Sequence, residues 1–76
     1  MYIHEAIQAM TMEKPCIARR SWGRWNKGLP SSGVRIQPTN SPDCCIIESD
    51  AASFHLRGWQ PTKDDLVADD WEPVRL

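Results

Sequence analysis

The stretch from Gly58 to Val74, GWQPTKDDLVADDWEPV, decides the fold because it contains the clearest helix start in the chain. Pro61 restricts the residue before it to extended geometry, so no helix enters this stretch from its N-terminal side. Thr62 can then cap a helix whose third residue is Asp65, which makes a capping box with Asp in the place of Glu. The stretch therefore predicts a strand, a short acidic helix and a final strand, with a tryptophan at each of the two junctions.

The N-terminal segment has the apolar spacing of a second helix. Its apolar residues recur at i, i+3, i+4 and i+7, the spacing of one buried helical face, at Ile3, Ala6, Ile7 and Met10. Pro15 ends this helix by Lys14, because proline clashes with a preceding helical turn. The strand predicted next, Cys16 to Arg20, places Ile17 and Arg19 on one face and its other residues on the opposite face.

The middle of the chain predicts three more strands separated by turns rich in Pro, Ser and Asp. These strands are Val34 to Ile36, Cys44 to Glu48 and Ser53 to Gln60. The second is apolar over most of its length and is predicted to be central, while Phe54 and Leu56 should point inward from the third. The segment from Ser21 to Ser32 is predicted to be a loop. The last strand, Trp71 to Leu76, should lie at a sheet edge because Pro73 has no N–H to donate.

This order of elements predicts an α+β fold, with a single antiparallel sheet of four to five short strands, an N-terminal helix and a short C-terminal helix. Residues 1–76 are expected to form one domain. A chain this short buries only about 60% of its unfolded surface, so its core alone is marginal. One modest helix would leave a face of the sheet uncovered, and self-association is therefore expected.

Composition excludes several classes of function. The net charge of −1 gives no basic field for duplex nucleic acid. The sequence has neither a signal peptide nor an apolar run near the roughly 18 residues of a membrane span, so a cytosolic protein is expected. The three cysteines form no CxxC pair, and adjacent cysteines are not expected to bridge. They are interpreted as small buried hydrophobic residues in strands, with no metal site and no cofactor.

The residue types favour binding over catalysis. Tryptophan offers a wide, rigid face for a purine, arginine a planar fork for phosphate, and ionised aspartate two acceptors for a ribose diol. The arginines available for this purpose are Arg19, Arg24 and Arg57. Aspartates around a one-turn helix are ordinarily solvated and stabilised by the helix dipole, and no motif of a nucleophilic or metal-dependent enzyme is present. We therefore expect no enzyme.

Two further functions fit the same residues. An exposed face of Trp and Arg is also typical of a protein–protein module, such as an inhibitor that docks on a host protein. Tryptophan stacking with arginine is likewise typical of single-strand nucleic-acid binders, although the near-neutral charge disfavours that interpretation.

Two motifs in the sequence resemble the Thoeris anti-defence 2 family of small phage proteins. Near the C-terminus, the pattern W-x-P-[ST]-x-x-D-L-x-A-[DE]-D-W-E is met at ten positions from Trp59 to Glu72. Near the start, E-A-[IL]-x-A begins at Glu5, and A-R-x-x-W follows it and ends at Trp22. Family members commonly have Val where this chain has Pro73, which leaves the motif intact. The two motifs cover about both outer thirds of the chain.

The resemblance implies a sponge protein that acts in the cytoplasm of the infected bacterial host. Such proteins bind the cyclic ADP-ribose isomer made by bacterial Thoeris TIR proteins and hold it uncleaved, so that the immune effector is not activated. Some members also bind cyclic dinucleotides in a separate pocket. They are homo-oligomers, typically tetramers built from dimers, with the ligand between subunits. The ligand-binding residues predicted on this basis are Trp22, Trp59, Arg19, Arg24, Thr62, Asp64 and Asp65.

Overall fold

The computed structural model describes residues 1–26, 28–31, 33–42, 44–50 and 54–75. Within these ranges it has two short helices, a main antiparallel sheet of five strands and a second sheet of two strands. In chain order the elements are α1 (Ile3–Gln8), β1 (Cys16–Arg19), β2 (Trp25–Asn26), β3 (Leu29–Pro30), β4 (Arg35–Gln37), β5 (Ile46–Ser49), β6 (Phe54–Leu56), α2 (Lys63–Val67) and β7 (Trp71–Val74). The predicted α+β class is confirmed.

The main sheet has the strand order β6-β5-β4-β1-β7, and each neighbouring pair is antiparallel. The last strand pairs with β1 at an edge, where Pro73 lies opposite Ile17, so the predicted edge position is confirmed. The strand predicted to be central is observed as β5, an interior strand that pairs with β4 on one side and β6 on the other. The chain returns to β1 for its final strand, which places β4 in the middle and β5 one position from the other edge.

The first face of the sheet carries the main core. Ile17, Ile36, Ala6 and Trp71 are buried together there, and α1 packs over β1 and β7 to cover them. The pairing of Ile17 with Ile36 across β1 and β4 places their side chains on the same face. Trp71 is fully buried and is the largest of the fully buried side chains.

The segment predicted to be a loop covers the second face of the sheet. It contains the β2–β3 hairpin, whose Leu29 is buried against Cys16, Ala18 and Val74, with Trp25 packed beside them. The expectation that one whole face is uncovered was therefore wrong over β1 and β7. The hairpin provides the second apolar layer that a single helix could not.

The first helix is shorter than the apolar spacing allowed. It ends at Gln8, well before Lys14, and Ile7 is 38% exposed instead of buried. Because α1 lies over β1 and β7, it does not reach the far edge of the sheet. Leu56 on β6 is 58% exposed there, which corrects the prediction that it points into the core. Phe54 on the same strand is half-buried.

The structure also corrects the interpretation of two cysteines. Cys44 and Cys45 are joined by a disulfide and precede β5, although adjacent cysteines were not expected to bridge. Cys16 is free and buried in β1, as predicted.

The predicted strand that starts at Ser53 is observed only as β6. Ser53 lies outside the described residues, as does Leu76 at the predicted end of the last strand. Neither described helix has the length and hydropathy that a membrane-spanning helix needs.

The predicted capping box at α2 is confirmed. The Thr62 hydroxyl accepts the backbone N–H of Asp65 at 3.1 Å, and the Asp65 carboxylate accepts the backbone N–H of Thr62 at 3.0 Å. Leu66 and Val67 on this helix are largely exposed, so packing contributes little to holding it. The cap therefore fixes where α2 starts.

Replacing Thr62 with Ala should lower the free energy of unfolding by about 1 kcal/mol, because the backbone N–H of Asp65 loses its acceptor. Urea unfolding followed by tryptophan fluorescence measures the difference from the parent. Thr62→Ser keeps the accepting hydroxyl and is the matched control, so it should stay close to the parent. Equal stability of Thr62→Ala and the parent would show that the cap does not hold α2.

Candidate ligand-binding site

Three tryptophans form one cluster at the end of the main sheet where β1 ends and β7 begins. The Trp22 and Trp71 rings meet edge to face with centroids 5.2 Å apart, and the Trp59 and Trp71 rings do so at 6.1 Å. Trp71 is fully buried, whereas Trp22 and Trp59 are half-buried. The structure thus brings together the two tryptophans predicted to contact ligand, and each packs against the buried Trp71.

Each member of this tryptophan cluster (Trp22, Trp59 and Trp71) donates a hydrogen bond to a backbone carbonyl. The N–H of Trp22 donates to the carbonyl of Arg19 at 3.1 Å, and the N–H of Trp59 donates to the carbonyl of Cys45 at 3.0 Å. The indole Nε1 of Trp71 donates to the carbonyl of Asp65 at 2.8 Å. The backbone of Trp22 is therefore tied to β1, the backbone of Trp59 to the segment before β5, and the ring of Trp71 to α2.

Beside this cluster, Arg19 forms ion pairs with two aspartates. Its Nη1 lies 3.0 Å from Oδ1 of Asp65, and its Nε lies 2.9 Å from Oδ1 of Asp70. The Arg19 side chain is only 19% exposed. These three residues, the arginine network, connect the end of β1 to α2 and to the residue before β7.

The remaining carboxylate oxygens of the arginine network also have partners. Oδ2 of Asp65 accepts the N–H of Thr62, and Oδ2 of Asp70 accepts the N–H of Ser21 at 3.0 Å. Burial alone would raise the pKa of each aspartate. The hydrogen bonds from these N–H groups and from Arg19 outweigh burial, so the pKa of both carboxyls lies below its usual value. The hydrogen bond to Asp70, the largest contribution, raises the pKa of Arg19, so all three groups are charged at neutral pH.

The residues predicted to bind ligand thus divide into two groups. Arg19, Thr62 and Asp65 are engaged in contacts within the chain. Asp64 on α2 and Arg24, just before β2, are exposed, and they are available at the surface together with the half-buried rings of the tryptophan cluster.

Sequence reasoning missed two contacts near this site. Asp70 was assigned no site role, yet it provides the shortest contact to Arg19. Arg20 stacks its guanidinium 4.4 Å from the centroid of the Trp25 ring and pairs with Glu72. The sequence has two adjacent acidic pairs, Asp64-Asp65 and Asp69-Asp70, and the second residue of each contacts Arg19 of β1. This repeated pairing could have indicated Asp70. No local pattern indicated the Arg20–Trp25 stack.

A cavity of about 220 Å³ lies elsewhere, between the β2–β3 hairpin and the start of β4. Its lining residues are Asn26, Leu29, Pro30, Ser31, Gly33, Asp50 and Arg75. None of the residues predicted to bind ligand belongs to this lining. The cavity is therefore separate from the tryptophan cluster and from the arginine network. Among the described residues, no three His, Cys, Asp or Glu side chains are grouped so as to hold a metal ion.

Comparison with known protein families gives one match. The Thoeris anti-defense 2-like domain matches residues 1–74, nearly the whole chain. No curated protein and no solved structure matches with significance. The match includes both the tryptophan cluster and the arginine network.

The lowered pKa values of Asp65 and Asp70 predict a loss of stability in acid. Their stabilising effect is fully present above the pKa of the unfolded chain, about 3.9, and is lost as pH falls through the lower folded values. The free energy of unfolding should therefore decline between about pH 5 and pH 2. Urea unfolding across this range measures the decline.

Two variants test whether the arginine network causes this decline. Asp70→Asn removes one ionisable partner of Arg19, so it should cost roughly 1–3 kcal/mol at pH 7 and make the decline shallower. Asp64→Asn changes an exposed carboxylate on α2 and should stay within about 0.5 kcal/mol of the parent. A decline as steep in Asp70→Asn as in the parent would assign the acid sensitivity to other groups.

Proposed function

The chain belongs to the Thoeris anti-defense 2-like family, and we propose that it is a phage anti-defence sponge for a cyclic nucleotide immune signal. In this proposal it binds a cyclic ADP-ribose isomer, holds it uncleaved and so inhibits Thoeris-type immunity in the cytoplasm of the infected host. Cyclic dinucleotides are a further ligand class to be tested. The observation that carries the proposal is the tryptophan cluster, in which two half-buried rings flank a buried one.

The cluster suits a purine base in its chemistry and its rigidity. Trp22 and Trp59 each offer an indole face that is fixed by packing on Trp71 before any ligand arrives. Stacking on a preordered ring loses little conformational entropy, and aromatic stacking of a base is worth about 1–3 kcal/mol. These two tryptophans are therefore proposed as the walls for the base.

The polar residues take two roles in the proposal. Arg24 and Asp64 are exposed, so they are proposed to contact phosphate and ribose hydroxyl groups, respectively. Arg19, Asp65 and Thr62 are proposed to act mainly by positioning, because their polar atoms already bind one another. A ligand phosphate near Arg19 would compete with two carboxylates at 3.0 Å or less.

Sequestration also fits the state of the acidic groups. A general acid or base works best with a pKa near the working pH. The pKa values of Asp65 and Asp70 are instead lowered, away from neutral pH, and both carboxylates are paired with Arg19. We therefore propose no catalytic residue. Binding and slow release are the whole activity, and nanomolar affinity would require about −12 kcal/mol in total.

A second candidate function is a protein–protein inhibitor that docks an exposed Trp/Arg face on a host protein. The Arg20–Trp25 stack favours it, because Arg and Trp are the residues that most often dominate binding energy at interfaces. Thermal unfolding with and without cyclic ADP-ribose isomers and cyclic dinucleotides separates the two functions. A specific ligand at 100 times its dissociation constant stabilises the fold by about 2.7 kcal/mol, whereas a docking module would not respond.

The protein should self-associate into a homodimer or homotetramer. The hairpin covers the second face over β1, but Leu56 on β6 and the apolar residues Leu66 and Val67 of α2 remain exposed. Light scattering at micromolar concentration measures the mass, and Leu56→Lys should reduce association if β6 is at the contact. A parent that stays at 8.7 kDa would contradict self-association and any site shared between subunits.

Trp22→Leu and Trp59→Leu should lower ligand affinity by about tenfold to a hundredfold, because leucine removes the stacking face and keeps apolar bulk. Both rings pack on Trp71, so each change should also cost stability, by roughly 1–2 kcal/mol. Trp71→Phe changes the buried ring, removes its hydrogen bond to the Asp65 carbonyl and serves as the contrast. It should lose stability by a similar amount or more, while any folded protein still binds. Calorimetry and melting curves on the three variants measure both quantities.

The exposed Arg24 gives a further control for this comparison. Arg24→Ala should weaken binding of a phosphate-containing ligand without changing the melting temperature. Should Trp22→Leu and Trp59→Leu lose stability but bind as the parent does, the tryptophans would be core residues only. The protein–protein inhibitor would then be the better account.

A further inference from the structure

The disulfide between Cys44 and Cys45 is connected to the tryptophan cluster through Cys45. Both cysteines are half-buried, and Cys45 packs on the same core as Trp59. The carbonyl of Cys45 also accepts the backbone N–H of Trp59 at 3.0 Å. Any change in the backbone of Cys45 is therefore passed to Trp59 through this hydrogen bond, and both residues pack on the same buried side chains.

Cys44 ties the other side of the disulfide to the preceding turn. Its Sγ accepts the backbone N–H of Thr39 at 3.4 Å, and its own N–H donates to the carbonyl of Ser41 at 3.0 Å. The disulfide thus joins the turn at residues 39–42 to the residue that holds Trp59. Opening it would leave the side chains of Cys44 and Cys45 free to separate.

We propose that Cys44–Cys45 is a thiol–disulfide switch that sets the position of Trp59. In the disulfide form, the carbonyl of Cys45 holds Trp59 against Trp71. Reduction weakens the hydrogen bond between Cys45 and Trp59, so the Trp59 ring packs less tightly against Trp71. The consequence for ligand affinity rests on the proposed function, whereas the effect on Trp59 does not.

The chemistry is an ordinary exchange with a dithiol. A thiolate of the dithiol attacks one sulfur of the pair and forms a mixed disulfide, and the second thiol of the reagent then displaces the protein sulfur. Two electrons and two protons reach Cys44 and Cys45, while the dithiol becomes a disulfide. The reverse exchange uses a disulfide such as oxidised glutathione. A reducing cytoplasm favours the open form and oxidising conditions favour the closed one, so the switch makes full affinity in the host depend on oxidising conditions.

The third cysteine does not take part in this exchange. Cys16 is fully buried in β1, and burial, with a further contribution from the charge of Glu48, raises the pKa of its thiol to about 11. A thiol in that state is almost entirely protonated at neutral pH and reacts slowly. The half-buried pair is therefore the reactive one, and Cys16 is an internal control.

The test compares the full chain with and without dithiothreitol. Alkylation of native protein followed by mass spectrometry should label Cys44 and Cys45 only after reduction. In the NMR spectrum, reduction should shift the backbone amide and indole signals of Trp59, assigned with Trp59→Phe, and leave the indole signal of Trp25 in place. Affinity for a cyclic ADP-ribose isomer should fall by between about fivefold and a hundredfold.

Two variants keep the proposal falsifiable. Cys44→Ser cannot close the disulfide, so its Trp59 signals should match the reduced parent with or without dithiothreitol. Cys16→Ala should retain the full response. Labelling of Cys44 and Cys45 without reductant, or Trp59 signals that do not move on reduction, would overturn the switch. If the Trp59 signals move but neither form binds cyclic nucleotide, the switch stands and the proposed function fails.

Discussion

The guanidinium of Arg19 holds together three parts of this protein that are far apart in the chain. It pairs with Asp65 on α2 and with Asp70 before β7, which lie 46 and 51 residues away in sequence. A buried ion pair adds little net stability after desolvation, but removal of one partner leaves an uncompensated charge. The network therefore acts mainly on position. The helix and the last strand cannot leave the end of β1 without separating these charges.

Trp71 is the residue on which this positioning has its largest effect. It lies opposite Arg19 in the pairing of β1 with β7, and its indole N–H binds the carbonyl of Asp65. The same two residues that pair electrostatically thus also flank the buried ring. Trp22 and Trp59 then pack on that ring from the outside. The charged residues thus border the buried ring, and the buried ring supports the two half-buried ones.

The features that could be predicted from sequence are those fixed by neighbouring residues. The capping box needs only Thr62 and the residue three positions later, and the edge position of β7 follows from the missing N–H of Pro73. The hairpin over the second face was missed because its strands have two residues each, too few for a period to be visible. The network of Arg19 was missed for a different reason. Residue types predict that an arginine will find a carboxylate or a phosphate, but only the fold decides which.

That distinction affects the candidate site most. Trp, Arg and Asp in one small chain suggested a separate residue for base, phosphate and sugar, with each side chain facing the ligand. In the fold, Arg19 and Asp65 face each other, and the backbone carbonyl of each accepts a hydrogen bond from a tryptophan of the cluster. The half-buried pair Cys44 and Cys45 could not be placed from the sequence either, because the hydrogen bond between Cys45 and Trp59 depends on strand order and not on sequence spacing.

A site arranged in this way suits retention better than turnover. A general acid or base needs a pKa near the working pH, whereas Asp65 and Asp70 have lowered pKa values and both are paired with Arg19. In the proposed site, a ligand would meet the exposed Arg24 and Asp64 and two aromatic rings that already pack on a buried ring. Preorganisation of this kind raises affinity mainly by slowing dissociation. Slow release is the property that the proposed sponge function requires, because a captured signal must stay bound for as long as the effector could respond.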